Sequence, residues 1–152
     1  MNDRDGVFAG NDPIQLFKTW LDEAARHETN DPNAVALATV DGAGLPNVRT
    51  VLLKDVLSDG FVFYTNYNSA KGQELHKTPK AALLVHWKSL HRQIRVRGSI
   101  TRTSAQMSDA YFASRPAGSR VAAWASEQSQ PLTSRAAFEQ KINQLTQEIG
   151  GN

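Results

Sequence analysis

Between Ala34 and about Thr101 the apolar residues recur with the two-residue period of β-strands, and turn signals separate them at short intervals. Five short strands fit this stretch: Ala34–Val40, Pro46–Asp55, Phe61–Thr65, Ala81–Trp87 and His91–Arg102. Turns at 41–44, 58–60 and 88–90 predict that consecutive strands form an antiparallel meander, which only residues 69–78 interrupt. Strands this short leave two costly sheet edges unless the sheet curls, which favours a small barrel over an open sheet.

Helical patterns flank the strands. A helix over residues 13–27 is predicted because Asp12 is a good N-cap, Pro13 suits the first helical position and Gln15 closes a capping box. Four more helices are predicted: 69–75 capped by Ser69, 104–114 with a Thr103–Gln106 capping box, 119–126, and 134–149. The predicted class is α+β, with a β-barrel core and peripheral helices, preceded by a flexible tail over residues 1–11.

The composition excludes several kinds of chemistry. The 152 residues include no cysteine, which excludes disulfides, cysteine-ligated metals and thiol nucleophiles and favours the cytoplasm. The apolar runs are far shorter than the roughly 20 residues that span a bilayer, so no membrane association is expected. The four histidines lack metal-ligand spacing, and neither a glycine-rich phosphate loop nor a nucleophile elbow occurs. We therefore expect no metal site and no dedicated catalytic side chain; difficult chemistry would belong to an organic cofactor.

Two groups of polar residues are candidates for binding an anion. Ser69 and Lys71 stand at the start of a predicted helix, where a hydroxyl, an ammonium and backbone N–H groups suit a phosphate. A capped helix with a solvated lysine is the alternative. Tyr111 and Arg115 are four residues apart on a predicted helix, and the following turn brings Ser119 back toward them. These three side chains suit a phosphate or carboxylate clamp, with plain helix-surface packing as the alternative.

The last predicted strand has one basic face. His91, Gln93, Arg95 and Arg97 alternate with apolar residues, so one face is wet and the other packs. A basic barrel face suggests oligonucleotide binding, but the strand has no aromatic residue on which bases would stack. The net charge of +2 is also too small to imply a nucleic acid partner by itself. A half-exposed strand with solvated cations is the simpler interpretation.

Six segments, in this order, resemble the pyridoxamine 5'-phosphate oxidase family, FMN enzymes of the split-barrel fold. The segments are DPIQLFKTWL from Asp12, RTVLLK from Arg49, FVFYTNYNSAK from Phe61, RQIRVRG from Arg92, YFASRPAGSR from Tyr111 and WASEQSQPL from Trp124. The resemblance covers about residues 12–145. It implies an antiparallel Greek-key split β-barrel, with residues 12–152 as one FMN-binding domain that lacks the family's C-terminal closing strands.

The resemblance also implies a function in vitamin B6 metabolism. A homodimer would bind FMN at its subunit interface and oxidise pyridoxamine or pyridoxine 5'-phosphate with oxygen, giving pyridoxal 5'-phosphate and hydrogen peroxide. The implied cofactor-binding residues are Arg49, Thr50, Val51, Leu52, Lys54, Tyr64, Thr65, Lys71, Gln93, Gln128 and Ser129, the last two from the partner subunit. The implied substrate-binding residues are Lys54, Tyr111, Arg115 and Ser119. The alternatives are a split-barrel flavoprotein or flavin reductase without this oxidase activity, and a non-catalytic binding module.

Three features depart from a simple match to the family. Ala70 stands where many members have an arginine beside the lysine of the phosphate site. The family's later Arg-x-His segment, which closes over the substrate, is not in this sequence. Arg49 and Lys54 are five residues apart, which places them on opposite faces of a regular strand. A β-bulge, or a strand that serves two pockets, would reconcile their roles.

Overall fold

The predicted helices and strands are all present in a computed structural model that describes residues 6–8 and 10–150. In chain order they are α1 Pro13–His27, β1 Ala34–Val40, β2 Pro46–Val56, β3 Phe61–Phe63, α2 Ala70–Lys77, β4 Lys80–Trp87, β5 Arg92–Ser99, α3 Ala105–Ser114, α4 Ala117–Ala125 and α5 Arg135–Gly150. The strand predicted to reach Arg102 ends at Ser99, whose partner Lys80 is the first residue of β4. One further hydrogen bond follows, from the Ile100 N–H to the Pro79 carbonyl at 2.9 Å, and Pro79 itself has no N–H with which to extend β4.

The five strands form one antiparallel sheet in the order β3-β2-β1-β4-β5. The meander is interrupted at the predicted place, because α2 carries the chain across the sheet between β3 and β4, and β4 pairs with β1. The resulting spatial order of the first four strands is that of a Greek key, as the resemblance implied. The edge strands β3 and β5 do not pair with each other, so the curled sheet is a half-barrel rather than a closed barrel.

The core lies between α1 and the inner face of this sheet. Asp12 caps α1 as predicted, since its carboxylate accepts hydrogen bonds from the backbone N–H groups of Ile14 and Gln15. The apolar side of α1 buries Phe17 and Trp20 against strand residues that include Trp87. Burying each such aromatic side chain contributes roughly 1.5–3 kcal/mol, so this packing holds α1 on the sheet.

A β-bulge interrupts β2 at Lys54. Leu53 pairs with Phe63, but the next pair is Asp55 with Val62, so β2 has one residue more than β3 at this point. The bulge that would reconcile Arg49 with Lys54 is therefore present. Arg49 shares the inner face with the buried residues of β2, whereas Lys54 is the extra, exposed residue.

The first turn of α2 is fixed by a capping serine and a required glycine. The Ser69 hydroxyl accepts a hydrogen bond from the backbone N–H of Gly72, which confirms the predicted cap. A Cβ atom at position 72 would lie 2.4 Å from the backbone oxygen of Tyr67. Only glycine allows this close approach, so Gly72 holds the start of α2, including Lys71, against the preceding loop.

Two helix starts differ from the prediction. The α3 cap is Ser104, which accepts a hydrogen bond from the Met107 N–H, whereas the Thr103 hydroxyl bonds to the Ser108 hydroxyl. The predicted Thr103 capping box is therefore wrong by one residue. The fourth helix begins at Ala117, so Ser119 lies in its first turn rather than after a loop.

The predicted N-terminal tail is described in part. Residues 1–5 and 9 lie outside the described residues, and Gly6–Phe8 forms a short 3-10 helix. The Phe8 ring meets the edge of the Trp20 ring at 5.7 Å between centroids. Among the described helices, none is long and apolar enough to cross a membrane.

Candidate functional site

Arg49 is held on the inner face of β2 by three hydrogen bonds. Its guanidinium donates to a Glu74 carboxylate oxygen at 3.0 Å, to the Leu37 carbonyl at 3.3 Å and to the Thr39 hydroxyl. The Glu74 carboxylate also accepts from the Thr39 hydroxyl and, at 3.1 Å, from the Asn47 amide. The ion pair is mostly buried, with 21% of the Arg49 side chain and 12% of the Glu74 side chain exposed. Charge-assisted bonds of this kind fix the orientation of a guanidinium.

The environment of Glu74 keeps its carboxylate charged. Burial tends to raise the pKa of Glu74, but hydrogen bonds from Thr39 and Asn47 and the positive charge of Arg49 outweigh that effect. The pKa of Glu74 is therefore lowered from its ordinary value of 4.5. At neutral pH the pair is a carboxylate and a guanidinium.

Lys71 is buried close to this pair, with 9% of its surface exposed. Its ammonium donates to the Gln128 side-chain oxygen at 2.8 Å and lies 3.5 Å from the Ser69 hydroxyl. Gln128 thus contacts Lys71 of its own chain, whereas the resemblance implied that it reaches the site from the partner subunit. Burial, and secondly the charge of Arg49, lower the pKa of Lys71. Within the described part of the chain, its hydrogen bonds go to neutral oxygen atoms rather than to a carboxylate. A buried ammonium in this state is stabilised by an anionic ligand.

The hydroxyl of Thr65 extends this group, because it lies 3.5 Å from the Ser69 hydroxyl. The group thus combines side chains from β1, β2, the loop after β3, α2 and the loop after α4. We call Arg49, Thr39, Glu74, Lys71, Ser69, Thr65 and Gln128 the arginine–lysine site. Two cations, hydroxyls and an amide are the donors that bind a phosphate.

A second group of predicted residues is aromatic. The Tyr64 and Tyr111 rings stack with 3.9 Å between centroids and an interplanar angle of 5°. The Lys54 ammonium lies 5.9 Å from the centre of the Tyr111 ring, and the Tyr64 hydroxyl donates to the Met107 carbonyl at 3.4 Å. Burial, and secondly the charge of Asp55, raise the pKa of Tyr64, so this hydroxyl stays protonated at neutral pH. We call Tyr64, Tyr111 and Lys54 the tyrosine stack.

A cavity of about 540 Å³ opens between β3 and the segment that follows β5. Tyr64, Thr65, Gly72 and Met107 are among its lining residues, so it adjoins both groups. Its volume is in the range of small-molecule and cofactor pockets. The cavity lies where the half-barrel is open.

Arg115 and Ser119 do not join the tyrosine stack. Arg115 is the C-cap of α3 and its guanidinium lies 5.9 Å from the centre of the Phe112 ring. Phe112 in turn stacks on Trp124. Across residues 10–150, no hydrogen bond or ring contact connects Tyr111 with Arg115 or Ser119. The structure therefore brings only Lys54 and Tyr111 together from the predicted substrate clamp.

The other predicted cofactor residues are spread over the sheet and a loop. Thr50, Leu52 and Gln93 are exposed on the outer face, whereas Val51 is 8% exposed in the core and offers a ligand only its backbone. Ser129 is exposed in the loop after α4, with a φ of 68°.

Glu74, Thr39 and Asn47 were not predicted as site residues. The sequence contains one indication that Glu74 lies near the site: Lys71 and Glu74 are three residues apart on a predicted helix and therefore share a face. The partners from β1 and β2 depend on strand pairing, which the sequence pattern does not specify.

The family model described as pyridoxamine 5'-phosphate oxidase matches residues 21–148. The chain belongs to the pyridoxamine 5'-phosphate oxidase family. The resemblance seen in the six sequence segments is thereby confirmed.

Other members of the family align with most or all of the chain. A pyridoxine/pyridoxamine 5'-phosphate oxidase of Ruegeria sp. (strain TM1040) is 53% identical over 152 residues, which cover the whole chain and 76% of that protein. The oxidase of the same name from Bartonella quintana (strain Toulouse) is 63% identical over 134 residues, covering 88% of this chain and 65% of that protein.

Two solved structures share the fold. PhzG from Burkholderia lata 383, in complex with tetrahydrophenazine-1-carboxylic acid, matches with a TM-score of 0.86 and 30% identity, over 93% of this chain and 69% of PhzG. An FMN-binding protein from Nostoc punctiforme, related to pyridoxamine 5'-phosphate oxidase, matches with a TM-score of 0.69 and 22% identity, over 86% of this chain and 73% of that one.

Proposed function

We propose that this chain binds FMN and oxidises pyridoxamine or pyridoxine 5'-phosphate with oxygen. The products are pyridoxal 5'-phosphate and hydrogen peroxide; the amine substrate also consumes water and releases ammonia. The observation that carries the proposal is the buried Lys71 ammonium close to the Arg49 guanidinium, with hydrogen bonds to neutral oxygen atoms.

The donors at the arginine–lysine site fit the phosphate of FMN. Arg49 and Lys71 supply positive charge, Ser69 and Thr65 supply hydroxyls, and Gln128 supplies an amide. Ala70 adds no cation, so the charge on this side of the site comes from Lys71 and Arg49. When bound, FMN supplies a two-electron acceptor that oxygen regenerates.

The tyrosine stack supports the assignment of the substrate side. Tyr64 is predicted to contact the cofactor and Tyr111 the substrate phosphate, and their rings are in direct contact. Lys54 brings a positive charge to the Tyr111 ring. Arg115 makes its contact through the face of Phe112, which leaves its N–H donors for a phosphate.

A homodimer is part of the proposal. The outer face of the sheet exposes Val48, Leu52 and Leu84 around the small side chains of β1, next to Gln93. A second subunit on this face would cover apolar surface and bring Gln93 close to a ligand at the interface. Sedimentation velocity of the wild type and of Leu84→Asp tests this; a wild type that sediments as a monomer at micromolar concentration would contradict it.

The central experiment measures FMN binding and then peroxide release. Purified protein is titrated with FMN by quenching of flavin fluorescence, and pyridoxamine 5'-phosphate is added in air-saturated buffer. Lys71→Met is expected to raise the FMN dissociation constant at least roughly tenfold, because a charge-assisted contact is lost. Lys77→Met, on the exposed last turn of the same helix, is the matched control and leaves FMN binding unchanged. Wild-type protein that takes up no FMN would refute the proposal.

A flavoprotein that acts on a different substrate is the second candidate. It is favoured by the separation of Arg115 and Ser119 from Tyr111 and by the similarity to PhzG. Titration with pyridoxal 5'-phosphate distinguishes the two functions, because only the B6 oxidase binds it tightly. In that case Arg115→Ala weakens pyridoxal 5'-phosphate binding much more than FMN binding. The absence of cysteine keeps the cytoplasm as the expected location.

A further inference from the structure

Arg49 has a frame of partners that fixes its guanidinium before any ligand arrives. Its three hydrogen bonds reach Glu74, Thr39 and the Leu37 carbonyl, so three of its five N–H groups are used and two remain for a ligand. Thr39 and Leu37 are fully buried in β1, which makes the frame rigid on that side. Glu74, on α2, contacts the guanidinium from the other side.

We infer that Glu74 is a positioning residue for phosphate binding: together with Thr39 it orients the Arg49 guanidinium toward the phosphate of FMN. The inference rests on the proposed function, because it requires Arg49 to bind that phosphate. Glu74 itself does not touch the ligand and acts through Arg49.

Two effects of Glu74 on an anionic ligand oppose each other. Its negative charge repels a phosphate, so its removal would tighten binding if charge alone mattered. Its hydrogen bond restrains a long side chain whose rotamer freedom amounts to about 2 kcal/mol, so its removal lets Arg49 reorient and weakens binding. The frame favours the second effect, because Glu74 also holds the Thr39 hydroxyl that contacts the same guanidinium.

Two substitutions at Glu74 separate position from charge. Glu74→Gln removes the charge and keeps an oxygen that accepts from Arg49, whereas Glu74→Ala removes both. If position matters, Glu74→Ala weakens FMN binding roughly tenfold and Glu74→Gln stays within about threefold of the wild type. If charge dominates, both variants bind FMN more tightly than the wild type, which overturns the inference.

Thr39→Val provides a test at constant charge. Valine has nearly the shape of threonine and removes the hydroxyl that links Arg49 with Glu74. A positioning role predicts FMN binding a few times weaker than in the wild type, and a charge effect predicts no change. This variant also decides the matter if Glu74→Ala does not fold.

Riboflavin is the control ligand, because it has the ring system of FMN but no phosphate. The measurement is the ratio of the riboflavin and FMN dissociation constants for each variant, determined by fluorescence titration. Disruption of the fold would weaken both ligands and leave the ratio unchanged, whereas a positioning role lowers the ratio. If the wild type prefers FMN over riboflavin and the variants keep the wild-type ratio, the positioning role of Glu74 is refuted and the proposed function stands. If the wild type binds neither ligand, the proposed function is refuted.

Discussion

The arginine–lysine site and the tyrosine stack both use predicted ligand-binding residues, but different forces hold them. In the first, charged groups are largely buried and oriented by hydrogen bonds, such as that from Lys71 to Gln128 at 2.8 Å. In the second, flat rings stack and the nearby Lys54 is exposed. Hydrogen-bonded charges fix the geometry of their donors, whereas stacked rings beside a solvated cation leave that cation more conformational freedom. The proposed function assigns the ordered site to the cofactor phosphate and the stack to the substrate.

The largest effect is expected when the buried ion pair is broken. Arg49→Leu leaves the Glu74 carboxylate without its cation in a mostly buried place. We expect the free energy of unfolding at pH 7 to fall by about 2–3 kcal/mol, measured by urea denaturation. Arg26→Leu, at an exposed arginine in the last turn of α1, is the matched control and should change it by less than about 0.5 kcal/mol. Equal losses of unfolding free energy in the variant and its control would show that the buried ion pair stabilises the fold no more than an exposed arginine does.

The next effect concerns the tyrosine stack. Tyr111→Leu removes the ring that contacts Tyr64 and is expected to weaken pyridoxal 5'-phosphate binding by about 1 kcal/mol, or roughly fivefold. FMN binding should weaken less than pyridoxal 5'-phosphate binding. Tyr111→Phe keeps the stack and removes only the hydroxyl, so the two variants separate the contribution of the ring from that of the hydroxyl. Absorbance titrations measure both ligands; a larger loss for FMN would argue against two separate sites.

Acid should destabilise the arginine–lysine site selectively. The pKa of Glu74 is lower in the folded protein than its ordinary value of 4.5, so its ionisation stabilises the fold above pH 4.5. This contribution is lost as the pH falls below 4.5 and through the lowered pKa. Urea denaturation between pH 3 and 7 should therefore show a weaker acid dependence for Glu74→Gln than for the wild type. A wild-type curve parallel to that of the variant would contradict this.

The smallest effect is an alkaline loss of FMN affinity. Burial lowers the pKa of Lys71 from its ordinary value of 10.5, and a phosphate binds the charged form. FMN affinity should fall as the pH rises through that lowered pKa, because the ammonium loses its proton. Lys71→Met should lack this dependence. Riboflavin, titrated in parallel, corrects for ionisation of the ring system, and an equal pH dependence for the two ligands would count against the role of Lys71.

The sequence pattern was sufficient for the elements but not for all of their pairings. Alternating apolar residues and caps such as Asp12 and Ser69 act locally, so helix and strand positions could be predicted closely. The partner of β4 is decided by how α2 packs across the sheet, which no local turn signal specifies. Likewise Thr103 and Ser104 are equally suitable caps by residue type, and only the backbone conformation selects Ser104.

The candidate site was predictable where residue identity carries the chemistry. Lys71, next to a capping serine, indicated an anion site, and the structure places it beside Arg49. Glu74 was missed because its importance arises from contacts with β1 and β2 that are distant in sequence. The predicted grouping of Tyr111 with Arg115 relied on helical spacing, but the helix ends before Arg115, whose backbone is extended ahead of Pro116.

Because Lys54 is the extra residue of the β-bulge, this lysine lies outside the regular alternation of side chains along β2. Leu53 and Val56 are both buried although they are three residues apart, because the additional residue lies between them. Deleting Lys54 would restore regular pairing and leave every other side chain of the strand on its present face. A single-codon deletion can thus remove this cation, and an insertion can restore it, while the framework around Arg49 is inherited intact. A change in strand length in this part of the molecule alters one exposed side chain and leaves its neighbours on their present faces.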